Sequence, residues 1–146
     1  MGVNNAPILD AIAWYGGNSG DGFELNNGIY SRGWSQTQYP QARAGTRIVK
    51  AKLRNAYGLY DMLGNVGEWC SDVWHPSHLY AAPDAAPRQS DPQSGEQPRV
   101  VRGGSWNVDA RYVRAAYRNG NEPGNANFNL GFRCVAGQHW PFSGSS

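Results

Sequence analysis

The amino-acid sequence predicts an irregular α+β fold that is rich in loops, with short antiparallel strands and little helix. Six Trp and eight Tyr lie among 19 Gly and 9 Pro in a chain of 146 residues. Each large aromatic side chain buries on the order of 150–250 Å², whereas Gly and Pro interrupt regular structure every few residues. In no part of the sequence do apolar residues recur at helical spacing over three turns. The length suits one domain, 1–146, with a single modest core.

The first third of the chain is predicted to form a short helix or turn followed by a long ordered loop. Residues 8–20 are largely apolar up to Trp14 and Tyr15 and then break at glycines. Residues 21–47 are polar and rich in Gly, which is typical of a loop. Three aromatic side chains are expected to anchor this loop: Tyr30, Trp34 and Tyr39.

Three strands are predicted in the last third of the chain. The first covers residues 99–106 and the second covers residues 112–118. In the third, residues 130–135, alternation places Leu130, Phe132 and Cys134 inward and Arg133 outward. Before these strands, residues 75–98 contain five prolines, which predicts an exposed loop.

Charge is low and scattered along the sequence. The formal net charge is +2, and the basic residues form no stripe, so neither nucleic acid nor an anionic membrane surface is expected as a partner. No stretch approaches the roughly 20 apolar residues that span a bilayer. The first residues show neither the charged nor the apolar region of a secretory signal. These features leave the cellular location open.

Two carboxylates, Asp61 and Glu68, flank a turn that contains Gly64 and Gly67. Calcium takes about six to eight oxygen ligands, commonly carboxylates mixed with backbone carbonyls. Glycine lets the backbone curl around an ion. From the residues alone, an ordinary turn whose acids are solvated or capping remains the alternative.

Several short motifs occur along the chain in a characteristic order. They are Ala13-Trp14-Tyr15 with Asn18-Ser19-Gly20, Asn55 with Gly58-Leu59-Tyr60-Asp61-Met62, Gly64-Asn65-Val66 with Glu68-Trp69, and the blocks at 101–106, 114–118 and 130–133. In order and spacing they resemble the formylglycine-generating (sulfatase-modifying factor) family, over residues from about 9 to 135. The family's N-terminal half, with its Arg-Leu-Pro-Thr-Glu-Ala-Glu-Trp-Glu block, is absent.

The resemblance implies a C-type-lectin-like fold that is usually bound to calcium. The family's calcium ligands correspond to the side chains of Asp61 and Glu68 and the carbonyls of Gly64 and Val66. The family usually has Trp between Val66 and Glu68, where this chain has Gly67. We therefore expect the space of that side chain to be filled by a neighbouring group or to remain as a pocket.

The resemblance implies no catalytic residue in this chain. Enzymes of the family oxidise a substrate cysteine with a copper ion held by two thiolates that follow the Gly-Gly-Ser-aromatic strand. No Cys occurs in residues 107–129 here, and Asn or Val cannot replace a thiolate as a ligand of the soft Cu(I) ion. Cys70 and Cys134 match neither thiolate position, and whether they pair or remain separate buried thiols stays open. A formylglycine-generating oxidase, or a fragment of one, is the alternative function.

Residues 107–129 are predicted to be a ligand-binding region, and whether they vary between copies stays open. Tyr offers a large contact area at low entropy cost, and Asn offers adaptable hydrogen bonding. The segment also resembles the C-terminal variable region of diversity-generating retroelement proteins, in which such positions are randomised to vary ligand binding. The candidate ligand-binding residues are Asn107, Val108, Asp109, Tyr112, Tyr117, Asn119, Asn121, Asn125, Asn127, Phe128 and Asn129.

The expected function is therefore a non-catalytic domain, stabilised by Ca²⁺, that presents this region to a protein or glycan. One alternative is an ordinary scaffold, because Asn is also common where loops need left-handed turns. Another is a fragment completed by a second chain in an oligomer, which exposed apolar surface would favour. Four arginines are expected to be structural, with hydrogen bonds to carbonyls and carboxylates: Arg102, Arg114, Arg118 and Arg133.

Overall fold

The structure, a computed structural model, describes residues 6–77 and 96–135. In these ranges the regular structure consists of six short strands and two 3-10 helices, Pro7–Ala11 and Ala110–Tyr112. Strands β1 (Ile29–Tyr30) and β2 (Arg43–Ala44) form a small antiparallel sheet. The expectation of a loop-rich fold with little helix is confirmed.

A second, four-stranded sheet organises the rest of the molecule, in the order β5-β4-β3-β6. Its strands are β3 (Gly67–Val73), β4 (Arg99–Arg102), β5 (Arg118–Asn121) and β6 (Leu130–Gly131). Strand β4 runs antiparallel to both β3 and β5, whereas β6 pairs with β3 in parallel. The sequence analysis missed both β3, the longest strand, and this parallel pair.

Strand β4 is shorter than the predicted 99–106 because two glycines turn the chain. Gly103 and Gly104 have φ of 87° and 74°, and residues that carry a Cβ rarely adopt these backbone angles. A Cβ on Gly104 would also lie 2.9 Å from the carbonyl oxygen of Tyr112. The turn therefore requires glycine and ends the strand at Arg102.

The predicted strand at 112–118 is wrong. The backbone N–H of Val113 donates to the Ala110 carbonyl, and that of Tyr117 donates to the Arg114 carbonyl, each at 3.0 Å. These local bonds turn the chain, so β5 begins only at Arg118.

The predicted alternation at 130–135 is also wrong beyond Leu130. Phe132 is 76% exposed and Cys134 is exposed, whereas Arg133 is half-buried and bonded to Glu68. Pairing of the guanidinium with a carboxylate directs Arg133 inward, and the strand ends at Gly131.

The core lies where the segment after the first 3-10 helix meets the short helix Ala110–Tyr112. Ala13 and Tyr15 pack with Ala110 and Val113, and all four are buried. Of the three expected loop anchors, Trp34 is half-buried and stacks on another Trp ring, and the Tyr39 hydroxyl donates to the carboxylate of Asp10. Tyr30 is largely exposed, so that prediction is wrong.

Most of the predicted Pro-rich loop, at 78–95, lies outside the described residues. Among the helices that are described, none has the length and apolar character needed to cross a membrane.

Candidate functional site

The candidate binding region begins from a fixed position. Trp106, which precedes it, is buried, and its backbone N–H donates to the Asn65 carbonyl at 2.8 Å. Its own carbonyl accepts a hydrogen bond from the buried Ser19 hydroxyl at 2.6 Å. These two long-range contacts tie the start of the region to the centre of the fold.

An aromatic cluster joins the region to the N-terminal part of the chain. The rings of Trp34 and Trp106 stack with centroids 6.0 Å apart, and Phe128 packs at a tilt on Trp106 at 5.7 Å. The indole N–H of Trp106 also donates to the Phe128 carbonyl at 3.4 Å. Phe128 is nevertheless 61% exposed, so an apolar ring is held at the surface on a buried base. The sequence analysis missed Trp34 as a neighbour of this site.

Asn107 and Asn129 join the two ends of the region. The Oδ1 atom of Asn107 accepts hydrogen bonds from the Ser105 hydroxyl at 2.8 Å and from the Asn129 amide at 3.1 Å. The carbonyl of Asn129 accepts from the backbone N–H of Gly67 in β3 at 2.8 Å. Asn107, Phe128 and Asn129 are therefore brought together at the closed base of a loop.

A second group lies around the short helix Ala110–Tyr112. The rings of Tyr112 and Tyr117 are 5.1 Å apart, and the guanidinium of Arg111 lies 4.7 Å from the Tyr112 ring centre. Burial, and then the neighbouring Tyr112, raise the pKa of Tyr117. Asp109 pairs with Arg111 at 3.2 Å. Val108 instead packs against the core cluster, so its side chain is partly withdrawn from the surface.

The remaining Asn residues of the candidate set lie along β5, an edge of the sheet, and the turn after it. The Asn119 side chain accepts from the N–H of Gly120 at 3.0 Å. The Asn121 side chain accepts from the N–H of Glu122 at 3.1 Å and from the Asn125 amide at 2.5 Å. Such bonds to the neighbouring backbone stabilise turns. Asn127 is exposed.

The predicted calcium loop contains an ion pair. Both oxygens of Glu68 accept hydrogen bonds from Arg133, at 2.5 and 2.7 Å. The same guanidinium donates to the carbonyls of Tyr60 at 3.1 Å and Asp61 at 3.0 Å. Its bond to Glu68 is the main reason that the pKa of Arg133 is raised.

The turn between the two carboxylates is fixed by its backbone. Gly64 has φ of 73°, and a Cβ there would collide with the Trp14 carbonyl. Asn65 also has positive φ, and its side chain both accepts from the N–H of Arg47 and donates to the carbonyl of Arg47. The backbone of the segment between Asp61 and Glu68, which carries the Gly64 and Val66 carbonyls, is therefore held in one conformation.

The donor set suits calcium in its chemistry, although some donors are engaged. Asp61 Oδ2 accepts from the backbone N–H of Lys50 at 2.8 Å, and Glu68 is bound by Arg133. An oxygen that accepts one hydrogen bond keeps a lone pair for a metal. The described residues contain no group of three or more His, Cys, Asp or Glu side chains that could hold an ion. Calcium would therefore depend on two carboxylates plus backbone oxygens.

The space expected beside Gly67 is filled. A Cβ built on Gly67 would lie 2.8 Å from Val101 Cγ1 and 3.4 Å from Leu130 Cδ2. Val101 on β4 and Leu130 on β6 thus occupy the space on either side of this glycine, and no pocket is left there.

Neither of the two alternatives for the cysteines, a disulfide or two buried thiols, describes both residues. Cys70 and Cys134 are both free thiols, so they do not pair, and Cys134 is exposed and not buried. Burial raises the pKa of the Cys70 thiol, while the nearby Arg102 opposes that rise.

The four arginines expected to be structural do bond to protein oxygens: Arg102 to Ala115, Arg114 to Arg111, Arg118 to His75, and Arg133 to Glu68.

A polar network around Asp10 was not predicted. Asp10 Oδ1 accepts from the amides of Asn18 at 2.9 Å and Gln38 at 3.0 Å, and Oδ2 accepts from the Tyr39 hydroxyl at 2.6 Å. The Tyr15 hydroxyl also contacts Gln38, and burial raises the pKa of Tyr15 to about 12. No periodicity in the sequence signals these contacts, which join the first helix to the loop at 21–47.

Comparison with known proteins gives one matching family over most of the chain. The sulfatase-modifying factor enzyme 1-like domain matches residues 11–138. The formylglycine-generating enzyme of Streptomyces coelicolor is 40% identical over 93 residues, which cover 62% of this chain and 29% of that enzyme. The serine/threonine-protein kinase pkn1 of Chlamydia pneumoniae is 43% identical over 94 residues, which cover 63% of this chain and 15% of the kinase. The chain therefore spans less than a third of these relatives.

Among solved structures, Treponema denticola variable protein 1 is similar to this chain. The TM-score is 0.58 and the sequence identity is 36%, over 86% of this chain and 36% of that protein. The name of that protein states that it is variable.

Proposed function

This chain belongs to the sulfatase-modifying factor enzyme 1-like domain family and has its irregular C-type-lectin-like fold, and from that premise we propose that it is a non-catalytic ligand-binding domain. Its binding region is residues 107–129, and its ligand is a protein or a glycan. One observation carries the proposal: the exposed ring of Phe128 is held on the buried ring of Trp106.

Preorganisation is the physical reason that this arrangement favours binding. A side chain that is already ordered loses little entropy when a ligand contacts it. Phe128 is fixed by Trp106, and the Asn107–Asn129 bond closes the loop at the same place. Aromatic rings with adjacent amides suit both an apolar protein side chain and the faces of a sugar ring.

We also propose that the positions of the region differ in how freely they vary. Asn125 and Asn127 are exposed and can change without loss of a core contact, whereas the exposed ring of Phe128 packs on the buried Trp106. Asn107, by contrast, accepts two hydrogen bonds, and Val108 packs on the core. The similarity to Treponema denticola variable protein 1 supports variation between copies.

Calcium at Asp61 and Glu68, with the carbonyls of Gly64 and Val66, is part of the proposal. When bound, the ion would supply positive charge that holds this turn together. Arg133 already supplies positive charge to Glu68, so we expect binding to be weak and its effect to be stability alone. A catalytic role is not proposed, because residues 107–129 contain no thiolate to hold copper.

The proposal is tested by applying the wild-type domain to a glycan microarray and to a protein microarray. The variant Phe128→Ala is compared with Leu25→Ala, whose side chain is similarly exposed but lies outside the region. We expect Phe128→Ala to lose the signals that wild type gives and Leu25→Ala to keep them. Equal signals from all three proteins, or copper-dependent oxidation of a cysteine-containing peptide, would contradict the proposal.

A further inference from the structure

A hollow beside the end of the first 3-10 helix concentrates positive charge. It has a volume of about 570 Å³, and Lys50, Lys52 and Arg54, which alternate along one loop, all line it. These two lysines are the only lysines of the chain. The sequence analysis missed this concentration because it judged charge over the whole chain. None of the eleven candidate ligand-binding residues lines the hollow.

The carboxylates around the hollow leave two of its cations without an anionic partner. Asp10 is the one acidic residue in its described lining, and the Asp10 carboxylate is already bound by three neutral donors. Asp10 and Asp21 both act on the half-buried Lys52, whose Nζ also donates to the Asp10 carbonyl. Lys50 and Arg54, by contrast, are exposed, and no carboxylate of the described residues lies within 4 Å of either charged group.

The loop that carries these cations is held in place through its backbone. The N–H of Lys50 donates to the Asp61 carboxylate and the N–H of Leu53 donates to the Ala11 carbonyl, each at 2.8 Å. Lys50 has φ of 62°, a left-handed conformation that glycine adopts at less cost than a residue with a Cβ. An observed backbone outlier of this kind motivates a hypothesis of function. Here a cationic side chain occupies a position where glycine would relieve strain.

Tyr60 contributes an aromatic ring to the same hollow. It is half-buried, and its ring centre lies 5.9 Å from the Nζ atom of Lys50. The face of an aromatic ring carries partial negative charge. The C–H groups on the face of a sugar ring carry partial positive charge, so the two faces attract each other. A guanidinium such as that of Arg54 matches a carboxylate with two parallel hydrogen bonds.

We propose that this hollow is a second binding site, which takes a carboxylate-bearing sugar of a glycan. Lys50 and Arg54 bind the carboxylate, and the sugar ring packs on Tyr60. The volume lies within the roughly 300–1,000 Å³ of ligand sites. An acidic peptide would use the two cations without the aromatic face, so the sugar accounts for more of the lining. The site does not rest on the proposed function of residues 107–129, which contribute nothing to the hollow.

Isothermal titration calorimetry with acidic sugars and their neutral counterparts tests the site. The probes are trigalacturonic acid with its methyl ester, and sialyllactose with lactose. We expect at least one acid to bind, and its neutral counterpart to bind about tenfold or more weakly. Binding of the acid should weaken as the salt concentration rises.

Three results of this titration would overturn the proposal. One is that neither acid binds, and another is that each acid binds no better than its neutral counterpart. The third is that a hexaglutamate peptide binds as tightly as the acidic sugars, which would assign the hollow to an acidic protein segment.

Lys50→Gly separates binding from the stability of the fold. Glycine relieves the left-handed backbone, so the variant should melt no lower than wild type and yet bind the acid about tenfold or more weakly. Arg54→Gln, at an exposed side chain, should also weaken binding and keeps the test decisive if Lys50→Gly alters the loop. Arg32→Gln removes one exposed positive charge outside the hollow and should leave the affinity unchanged. Wild-type affinity in both Lys50→Gly and Arg54→Gln would overturn the proposal.

The failure of this proposal and the failure of the proposed function can be told apart on the glycan microarray. Signals that Phe128→Ala loses and Lys50→Gly keeps belong to residues 107–129. Signals from acidic sugars with the opposite pattern belong to the hollow.

Discussion

The guanidinium of Arg133 donates to both carboxylate oxygens of Glu68 and also to the carbonyls of Tyr60 and Asp61. One side chain thereby holds the end of β6 to the start of β3 and to the turn before it. The pair is half-buried, which limits competition from water and from salt.

Substitution of Arg133 by Gln is expected to destabilise the fold. Glu68 would keep its charge in a half-buried place and lose two charge-assisted hydrogen bonds, at a cost of roughly 1–3 kcal/mol. Urea unfolding measures the difference in free energy. The control is Arg111→Gln, which breaks the pair with Asp109 at a largely exposed guanidinium and should cost less than about 1 kcal/mol. Equal losses of stability in the two variants would show that the Arg133–Glu68 pair stabilises the fold no more than the exposed Arg111–Asp109 pair does.

Calcium is expected to raise the melting temperature of chelator-stripped protein, whereas Cu(I) is not. An ion that binds only the folded state stabilises it, by about 2.7 kcal/mol at 100 times the dissociation constant. Asp61→Asn should abolish the response and still fold, since Asn tolerates the positive φ of 53° at this position.

Arg133→Gln gives the calcium prediction a second arm. Removal of the guanidinium frees the oxygens of Glu68, so calcium should stabilise this variant more than it stabilises wild type. No calcium response in either protein would remove the ion from the proposed function. A copper response that depends on thiols would favour the oxidases instead.

The Arg133–Glu68 pair also shows how much of this fold could be predicted from the sequence. The order of the motifs and the abundance of Trp, Tyr and Gly predicted the fold class correctly, because both are properties of the whole chain. Alternation failed at 130–135, because one ion pair between Arg133 and Glu68 outweighs the period of a short strand. Strand β3 was missed because its first residues, Gly67 and Glu68, were interpreted only as part of a metal-binding turn.

The candidate site was predicted in part for a similar reason. Asn107, Phe128 and Asn129 belong to one segment, so sequence alone could group them, and the structure brings them together. Trp34 stacks under the same site from far upstream, and no local pattern marks that contact. The Asp10 network is likewise built from long-range hydrogen bonds.

The stability of the domain is expected to fall as the pH rises from about 10 to about 12. Burial raises the pKa of Tyr15 from 10.0 to about 12 in the folded protein. The stability that this group contributes is fully present below the unfolded pKa, near 10. Above it the unfolded chain releases the proton while the folded chain keeps it, so the contribution is lost as pH rises through the folded pKa.

Urea unfolding between pH 9 and about pH 12 measures this slope. Tyr15→Phe should lower stability at pH 9, because the hydroxyl bonds to Ala6 and Asp10 are lost, and should reduce the fall above pH 10. Tyr57→Phe, at an exposed ring, should leave the slope as in wild type. Identical slopes in the three proteins would show that Tyr15 does not couple folding to pH.

Gly67→Ala is expected to destabilise the sheet although glycine is usually a weak strand residue. The new Cβ would lie 2.8 Å from Val101 Cγ1, so the packing of β3 against β4 must shift, at a cost of about 1–3 kcal/mol. Gly124→Ala is the matched control, because a Cβ there meets nothing within 4 Å, and its free energy of unfolding should change by less than about 0.5 kcal/mol. Val101→Ala removes the obstructing methyl, so the double variant should lose less stability than the sum of the two single variants. If Gly67→Ala were as mild as Gly124→Ala, the space of the family's Trp would be open and not filled by Val101, and a larger side chain could be placed there.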